Sequence, residues 1–297
     1  MFKRFSISEI EQDIANLGIK QDDIVFVNAD ISRIGFIVED PAGGFLKALQ
    51  TVIGPSGTVI APAFTYSDLF FRLKKDLIFD ENAPILSGAF SKSIKSDPLS
   101  YRSKHPVCSF VAVGKHAKEI LDDHDFSKSS YHPFKRIIEM DGKCLSVGCS
   151  FTNPGFTVLH WSQFEFGQAI KSFFKGRIGV FYRDGNNVKQ FKRMDFGGHA
   201  GGILNLFPKY EQKGILRLGM IGSGCSILAS ARELHETNLQ ELRNNPKIML
   251  CSDPNCFSCR TSWTYNKLDI PGYWFRFVLR RLKSALLKNE RCQKSQS

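Results

Sequence analysis

The sequence predicts an α/β fold, a mixed central sheet flanked by helices in an α/β/α layering. Three observations carry this. Short apolar runs of strand length alternate with segments of helical period. The runs are punctuated by Gly, Pro, Asn and Ser clusters. The stretch Lys143 to Glu165 reads as a buried strand, a Gly-containing turn and a helix, the arrangement at which open α/β sheets gather ligands.

The elements follow in order. Ser8 to Gly18 reads as a capped helix, with Ser8 at the N-cap, Glu11 three residues on, and Ile10, Ile14 and Leu17 on one face. Ile24 to Val27 is a buried strand, followed by the polar turn Asn28 to Ser32. Pro41 to Ile53 is a second helix, Gly54 to Gly57 a turn, and Thr58 to Ala61 a strand ended by Pro62. Phe64 to Pro98, aromatic and charged by turns, reads as a long loop able to close over a site. Cys108 to Val113 is a strand; Gly114 to Leu121 and Pro133 to Met140 are helices. Ile178 to Tyr182 and Val188 to Phe191 suit a hairpin across Asp184-Gly185-Asn186-Asn187. Leu216 to Ile221 is a strand, and Cys225 to Leu242 an amphipathic helix.

The chain has 297 residues, 42% of them hydrophobic, enough for one large domain or two closely packed ones. A main domain over residues 1–250 and a segment over 251–297 are expected. No apolar run reaches the 18 or so residues of a membrane span, and the basic start MFKRFSISEIEQ lacks the apolar core of a signal peptide. With eight scattered or late cysteines, this favours reduced thiols and a cytoplasmic setting. The net charge is +11, but residues 271–297 hold seven Lys or Arg against one Glu. Six of the excess charges are therefore in that tail, which argues against a whole-surface nucleic-acid binder.

Within Lys143 to Glu165, Thr157 sits at a helix N-cap position and His160 in the first helical turn. An imidazole there can take a proton near neutral pH, or can be a packed residue with its nitrogens bonded locally. Gly222-Ser223-Gly224 is placed as a strand-to-helix turn able to cradle a phosphate. Ile227 stands where a dinucleotide fingerprint needs its third Gly, which argues against a Rossmann cofactor.

Four motifs occur in order: VFVNADISRIG, IGPSGTVIAPAFTYS, YRSKHPVCSFVAVGKHA, and CLSVG followed by FTVLHWSQ. Together, over about Ile24 to Leu242, they resemble the aminoglycoside 3-N-acetyltransferase family, which moves acetyl from acetyl-CoA to an amino-sugar nitrogen. The branch associated with bacterial surface polysaccharide is the nearest in flavour. The resemblance implies that His160 is the general base. It also implies acetyl-CoA binding by Asp30, Ile31, Ser32 and Arg33, by Gly57 and Thr58, and by Arg102, Ser103, His105 and Ser109. Each of these is also an ordinary turn or cap residue.

Two positions depart from the pattern. Asn28-Ala29 stands where the family usually opens with His-Ser, and Gln163 where it usually places Glu. Gln163 shares a helical face with His160 but carries no charge. Either another acid, Asp195 being the candidate, supplies the charge, or the reaction is slow, or there is none. The expected function is thus N-acetylation of an amino sugar, a nucleotide- or lipid-linked one suiting a basic chain better than a polycationic antibiotic. The rival is a non-catalytic CoA- or sugar-binding relative.

Two further features stand outside the motifs. Cys251, Cys256 and Cys259 have the spacing C-x4-C-x2-C, which suits zinc with a fourth ligand such as Cys292 or Cys225, or the start of an iron–sulfur pattern, or three free thiols. Tyr273 to Lys288 puts Phe275, Val278, Leu279, Leu282, Ala285 and Leu286 on one face, flanked by Arg276, Arg280, Arg281 and Lys283. This reads as a helix lying on the anionic inner face of a membrane, or as a packed helix with a solvated basic side. A homo-oligomer is expected.

Overall fold

In a computed structural model, residues 4–37, 40–148, 155–196, 200–262 and 266–294 are described, with the backbone alone given for 36–37, 200 and 283–294. The apolar runs form seven strands of one mixed sheet: β1 (Ile24–Ala29), β2 (Thr58–Pro62), β3 (Tyr101–Arg102), β4 (Phe110–Gly114), β5 (Lys143–Val147), and, beyond a separate hairpin of β6 (Ile178–Asp184) and β7 (Asn187–Lys192), β8 (Arg217–Ile221) and β9 (Gly224–Ser230). Their order is β8-β9-β5-β1-β2-β4-β3. The three middle strands run parallel, and the flanking pairs are antiparallel.

The helices are α1 (Ile7–Leu17), α2 (Pro41–Ile53), α3 (Ala89–Ser96), α4 (Ala117–Leu121), α5 (Pro133–Glu139), α6 (Val158–Glu165), α7 (Phe207–Gln212), α8 (Ala231–Asn244), α9 (Phe257–Ser262) and α10 (Ile270–Lys294). Alternation along the strands divides the core into two layers. Val25, Val27, Val59 and Ala61 face α1, α2 and α3, with Ile10, Ile14, Phe45 and Leu49. Ile24, Phe26, Ile60 and Phe110 face helices α4 to α9, with Phe134, Trp161, Tyr210 and Leu234. Both faces of the central strands are buried, hence their unbroken apolar runs. A third, smaller cluster joins Val180, Tyr182 and Phe191 of the hairpin to Phe79, Ala83 and Val107.

The expected α/β class and most of the expected elements are present, with three corrections. The first helix is capped by Ser6 in a capping box with Glu9, two residues before the expected Ser8. Residues 64–98 are not a plain loop. They contain Asp68–Leu69 and Ile78–Phe79, which pair with β6, and α3. Finally, Cys225 to Ser230 is strand, not helix. Gly222 at φ +58° makes a two-residue hairpin with Ser223, and Gly224–Ser230 pairs on both sides, with β8 and β5. The helix starts at Ala231, capped by Ser230 accepting from Glu233 N–H. No phosphate-cradling strand-to-helix turn exists at residues 222–224.

Candidate active site

The carboxyl ends of the parallel strands β1 and β5 open into a cleft of about 370 Å³. Strand β1 delivers Asn28 and Ala29 and leads into Asp30 and Arg33. Strand β5 delivers Ser146 and Val147, and α6 delivers His160. Ser87, Phe90 and Ser91 close one wall. The approach of α6 to the sheet depends on two glycines. Gly148 has φ +64°, and a Cβ on it would lie 2.5 Å from the Asp30 carbonyl oxygen. Gly155 has φ +70°, and a Cβ on it would lie 2.9 Å from the Asn28 Cβ. Asn153 and Pro154 of the expected turn lie outside the described residues.

Asn28 donates from Nδ2 to the Gly155 carbonyl and to Thr157 Oγ1, the latter at 3.0 Å. Thr157 is therefore not a side-chain cap of α6. Its backbone is already helical and its hydroxyl is held by β1. The residue that departs from the family pattern at the end of β1 fastens the start of the helix carrying His160.

His160 is half-buried, with Nδ1 2.9 Å from Gln163 Oε1. The amide oxygen can only accept, so Nδ1 carries the proton and Nε2 presents a lone pair. Nε2 has no hydrogen-bond partner among the described residues. Burial pushes the His160 pKa down to about 4; the Gln163 hydrogen bond offsets part of that, Arg193 adds to it and Asp195 opposes it. At neutral pH the ring is neutral and ready to accept a proton. Gln163 itself is fully buried, and its Nε2 has no hydrogen-bond partner among the described residues.

Behind the imidazole lies an assembly of which sequence reasoning named Asp195 but not Tyr131 or Arg193. The Tyr131 ring stacks on His160, 4.8 Å between centroids and 28° apart in plane. The Arg193 guanidinium lies over the Tyr131 ring, 5.6 Å from its centroid. Asp195 sits 3.6 Å from Arg193 Nε, and takes Ser130 N–H at 2.8 Å and Ser130 Oγ–H at 2.6 Å. Asp195 thus neutralises Arg193 and fixes Ser130 beside Tyr131. It is not the hydrogen-bond partner of His160 Nδ1, a place Gln163 holds. Tyr131 and Arg193 stand in no motif, so no local signal in the chain marked them. Glu165 points elsewhere, pairing with His235 Nε2 at 2.7 Å.

The expected acetyl-CoA contacts divide sharply. Asp30 and Arg33 line the cleft, joined by an ion pair at 3.0 Å. Ser32 donates to Asp30 at 2.5 Å, and Ile31 packs on the core beside them. Gly57 and Thr58 lie at the other end of the sheet. Thr58 pairs with Ile24 at the start of β1, and its hydroxyl accepts His116 N–H at 2.9 Å.

Arg102, Ser103, His105 and Ser109 are all buried and line no part of the cleft. Arg102 donates to the carbonyls of Ala83 at 2.5 Å and of Glu81 and Ala63 at 3.3 Å, and to Ser109 Oγ at 3.2 Å. Ser103 Oγ accepts Phe110 N–H at 2.8 Å. His105 Nδ1 accepts Cys108 N–H at 3.0 Å and its ring stacks on His124. This motif holds residues 63–83 against the sheet, because a buried guanidinium satisfies several otherwise orphaned carbonyls at once.

Cys251, Cys256 and Cys259 do come together, with their sulfurs within 4.8 Å of one another. Cys225 is on β9, outside that group, and the Cys292 side chain lies outside the described residues.

The sequence model of the aminoglycoside 3-N-acetyltransferase family matches residues 26–242. Aminoglycoside N(3)-acetyltransferase IX of Micromonospora chalcea is 30% identical over 209 residues, 63% of this chain and 72% of that protein. Aminoglycoside N(3)-acetyltransferase IV of Salmonella sp is 25% identical, over 82% of this chain and 89% of that protein. The apoenzyme structure of AAC(3)-IVa superposes with a TM-score of 0.75 over 88% of this chain and 98% of its own, at 21% identity. AAC-IIIb in its binary complex with CoASH gives 0.69 over 82% and 97%, at 22% identity. These two structural likenesses bear on the fold.

Proposed function

The chain belongs to the aminoglycoside 3-N-acetyltransferase family, and from that premise we propose that it transfers an acetyl group from acetyl-CoA to the amino group of an amino sugar, with His160 as the general base. The observation that carries the reading is the imidazole in the cleft, neutral, with Nδ1 occupied by Gln163 and Nε2 unengaged among the described residues.

Acetyl-CoA enters as co-substrate at the mouth formed by Asp30, Ile31, Ser32 and Arg33. Arg33 is half-exposed and offers a cation for a phosphate. The amine nitrogen attacks the thioester carbonyl and His160 Nε2 takes the proton it sheds. The C–N bond forms, the C–S bond breaks, and the departing sulfur leaves as CoA thiol after taking a proton. The imidazolium formed on the way is stabilised by the amide oxygen of Gln163 rather than by a carboxylate.

The acceptor that fits best is a nucleotide- or lipid-linked amino sugar of the kind used to build surface polysaccharide. A polycationic acceptor calls for several carboxylates. Among the described residues lining the cleft, Asp30 is the one carboxylate, and Arg33 neutralises it. No described helix is long and apolar enough to cross a membrane. Helix α10 nevertheless exposes Trp274, Phe275, Leu279 and Leu282 along one side, next to Arg276 and Arg281, which supports a resting place for the enzyme on an anionic membrane surface.

The test is CoA thiol release from acetyl-CoA with two acceptor panels, free aminoglycosides and nucleotide-linked amino sugars. Release with the second panel at higher kcat/KM supports the reading, higher kcat/KM with the first overturns the acceptor class, and acetyl-CoA binding without turnover on either establishes the binding-protein alternative.

A further inference from the structure

The segment after α8 is built around sulfur. Residues 246–250 are fastened to the domain by Asn205, whose Nδ2 donates to the carbonyls of Ile248 at 2.7 Å and Leu250 at 3.0 Å. Cys251 follows directly. Cys256 precedes α9, and Cys259 lies within it, fully buried against the main core. The three Sγ atoms converge within 4.8 Å. Two backbone N–H groups point at them: Cys251 N–H at Cys259 Sγ and Cys259 N–H at Cys256 Sγ, both at 3.5 Å. Around this knot the chain reverses, held by Arg260, whose Nη2 donates to the carbonyls of Cys251 at 3.0 Å and Asp253 at 3.1 Å.

We propose that Cys251, Cys256 and Cys259 form a structural zinc site that clamps the C-terminal helix onto the acetyltransferase domain. Three convergent thiols are a soft donor set that selects zinc over calcium or magnesium. Thiolates on a tetrahedral zinc at about 2.3 Å lie roughly 3.8 Å apart. Closing from at most 4.8 Å asks each sulfur to move about half an ångström, without refolding the segment. The N–H···S bonds supply the outer-sphere donors that steady a metal-bound thiolate, and Arg260 and Arg280 stand next to the negative charge that three thiolates bring. Among the described residues no fourth Cys, His, Asp or Glu joins the group, so the fourth position falls to solvent or to a side chain beyond them.

The clamp role follows from what the knot touches. Arg280 of α10 pairs with Asp253, between the first two cysteines, at 2.6 and 3.2 Å. Phe277 of α10 stacks on Phe257, 5.2 Å between centroids. Metal at the sulfurs fixes both anchor points at once.

The experiment uses the full-length protein purified without chelator. About one zinc per chain is expected by elemental analysis. Replacement by Co²⁺ should give thiolate-to-cobalt charge-transfer absorption in the near ultraviolet and the visible bands of a tetrahedral ion. Cys251→Ser, at a half-buried position that spares the core, should weaken metal binding at least about tenfold. Chelation should speed amide exchange through residues 270–294. Absence of zinc together with a cobalt complex lacking thiolate bands overturns the proposal, as does a disulfide between two of the three cysteines or a bound iron chromophore. Unchanged exchange in α10 on chelation overturns the clamp role. None of these readouts uses acetyl transfer, so their failure is separate from any failure of the proposed activity.

Discussion

Gln163 Oε1 accepts the Nδ1 proton of His160 across 2.9 Å, a link between two neutral groups one helical turn apart. It fixes the ring and its tautomer but gives the imidazolium no counter-charge. His160→Ala should therefore lower acetyl transfer by at least about 10²-fold while leaving acetyl-CoA affinity nearly unchanged. Steady-state kinetics and a CoA-binding titration check this; a variant with near-native turnover removes His160 from the mechanism.

Gln163→Glu converts the link to a charged one. The His160 pKa should rise from about 4, moving the acid limb of the kcat/KM profile to higher pH and increasing turnover at neutral pH by about tenfold or more. Asp195→Asn should act differently. Its carboxylate holds Ser130 and balances Arg193, so the variant should lose stability, with the acid limb displaced less than in Gln163→Glu. A larger displacement in Asp195→Asn would show that Asp195, not the residue at 163, sets the base.

Arg102 distinguishes scaffold from binding site. Arg102→Lys keeps the charge but cannot reach three carbonyls and a hydroxyl together. Stability should fall by about 2 kcal/mol or more, read by denaturant unfolding, with the KM for acetyl-CoA unchanged. A raised KM at native stability would return this motif to the CoA site.

Acid should weaken the fold early. His105, His124 and His160 are each held neutral, chiefly by burial, with pKa values below the ordinary 6.5, His124 at about 3. Below pH 6.5 the unfolded chain binds protons that the folded chain does not, so stability falls as pH drops from 6.5 towards 4. Each such histidine contributes a slope of about 1.4 kcal/mol per pH unit. Unfolding free energies at pH 7, 6 and 5 test this, and His124→Gln should flatten the slope.

Removing residues 271–297 should abolish salt-sensitive binding to anionic vesicles and preserve acetyl transfer, since each basic residue near such a surface contributes about 1 kcal/mol. Unchanged vesicle binding, or loss of the folded domain, would make α10 a packed structural element.

The sequence by itself determined the α/β class, the strand Lys143–Val147 and the helix that carries His160, and the pairing of positions 160 and 163. These rest on neighbours within one turn or one strand, where period and spacing are read directly. It also determined the hairpin at 184–187, because Gly185 and Asn186 suit a tight turn. Only the tertiary structure decided which end of each strand faces the cleft. That put Asp30 and Arg33 at the mouth, Thr58 at the opposite end of the sheet, and Arg102, Ser103, His105 and Ser109 in the core. It also brought Tyr131, Arg193 and Asp195 behind His160 from segments up to 64 residues apart, and made a strand of Cys225 to Ser230. The reason is the same in each case. A residue's local pattern records that it is polar, apolar or turn-forming, while its partner is chosen by the register of strands distant in sequence, which no local pattern contains.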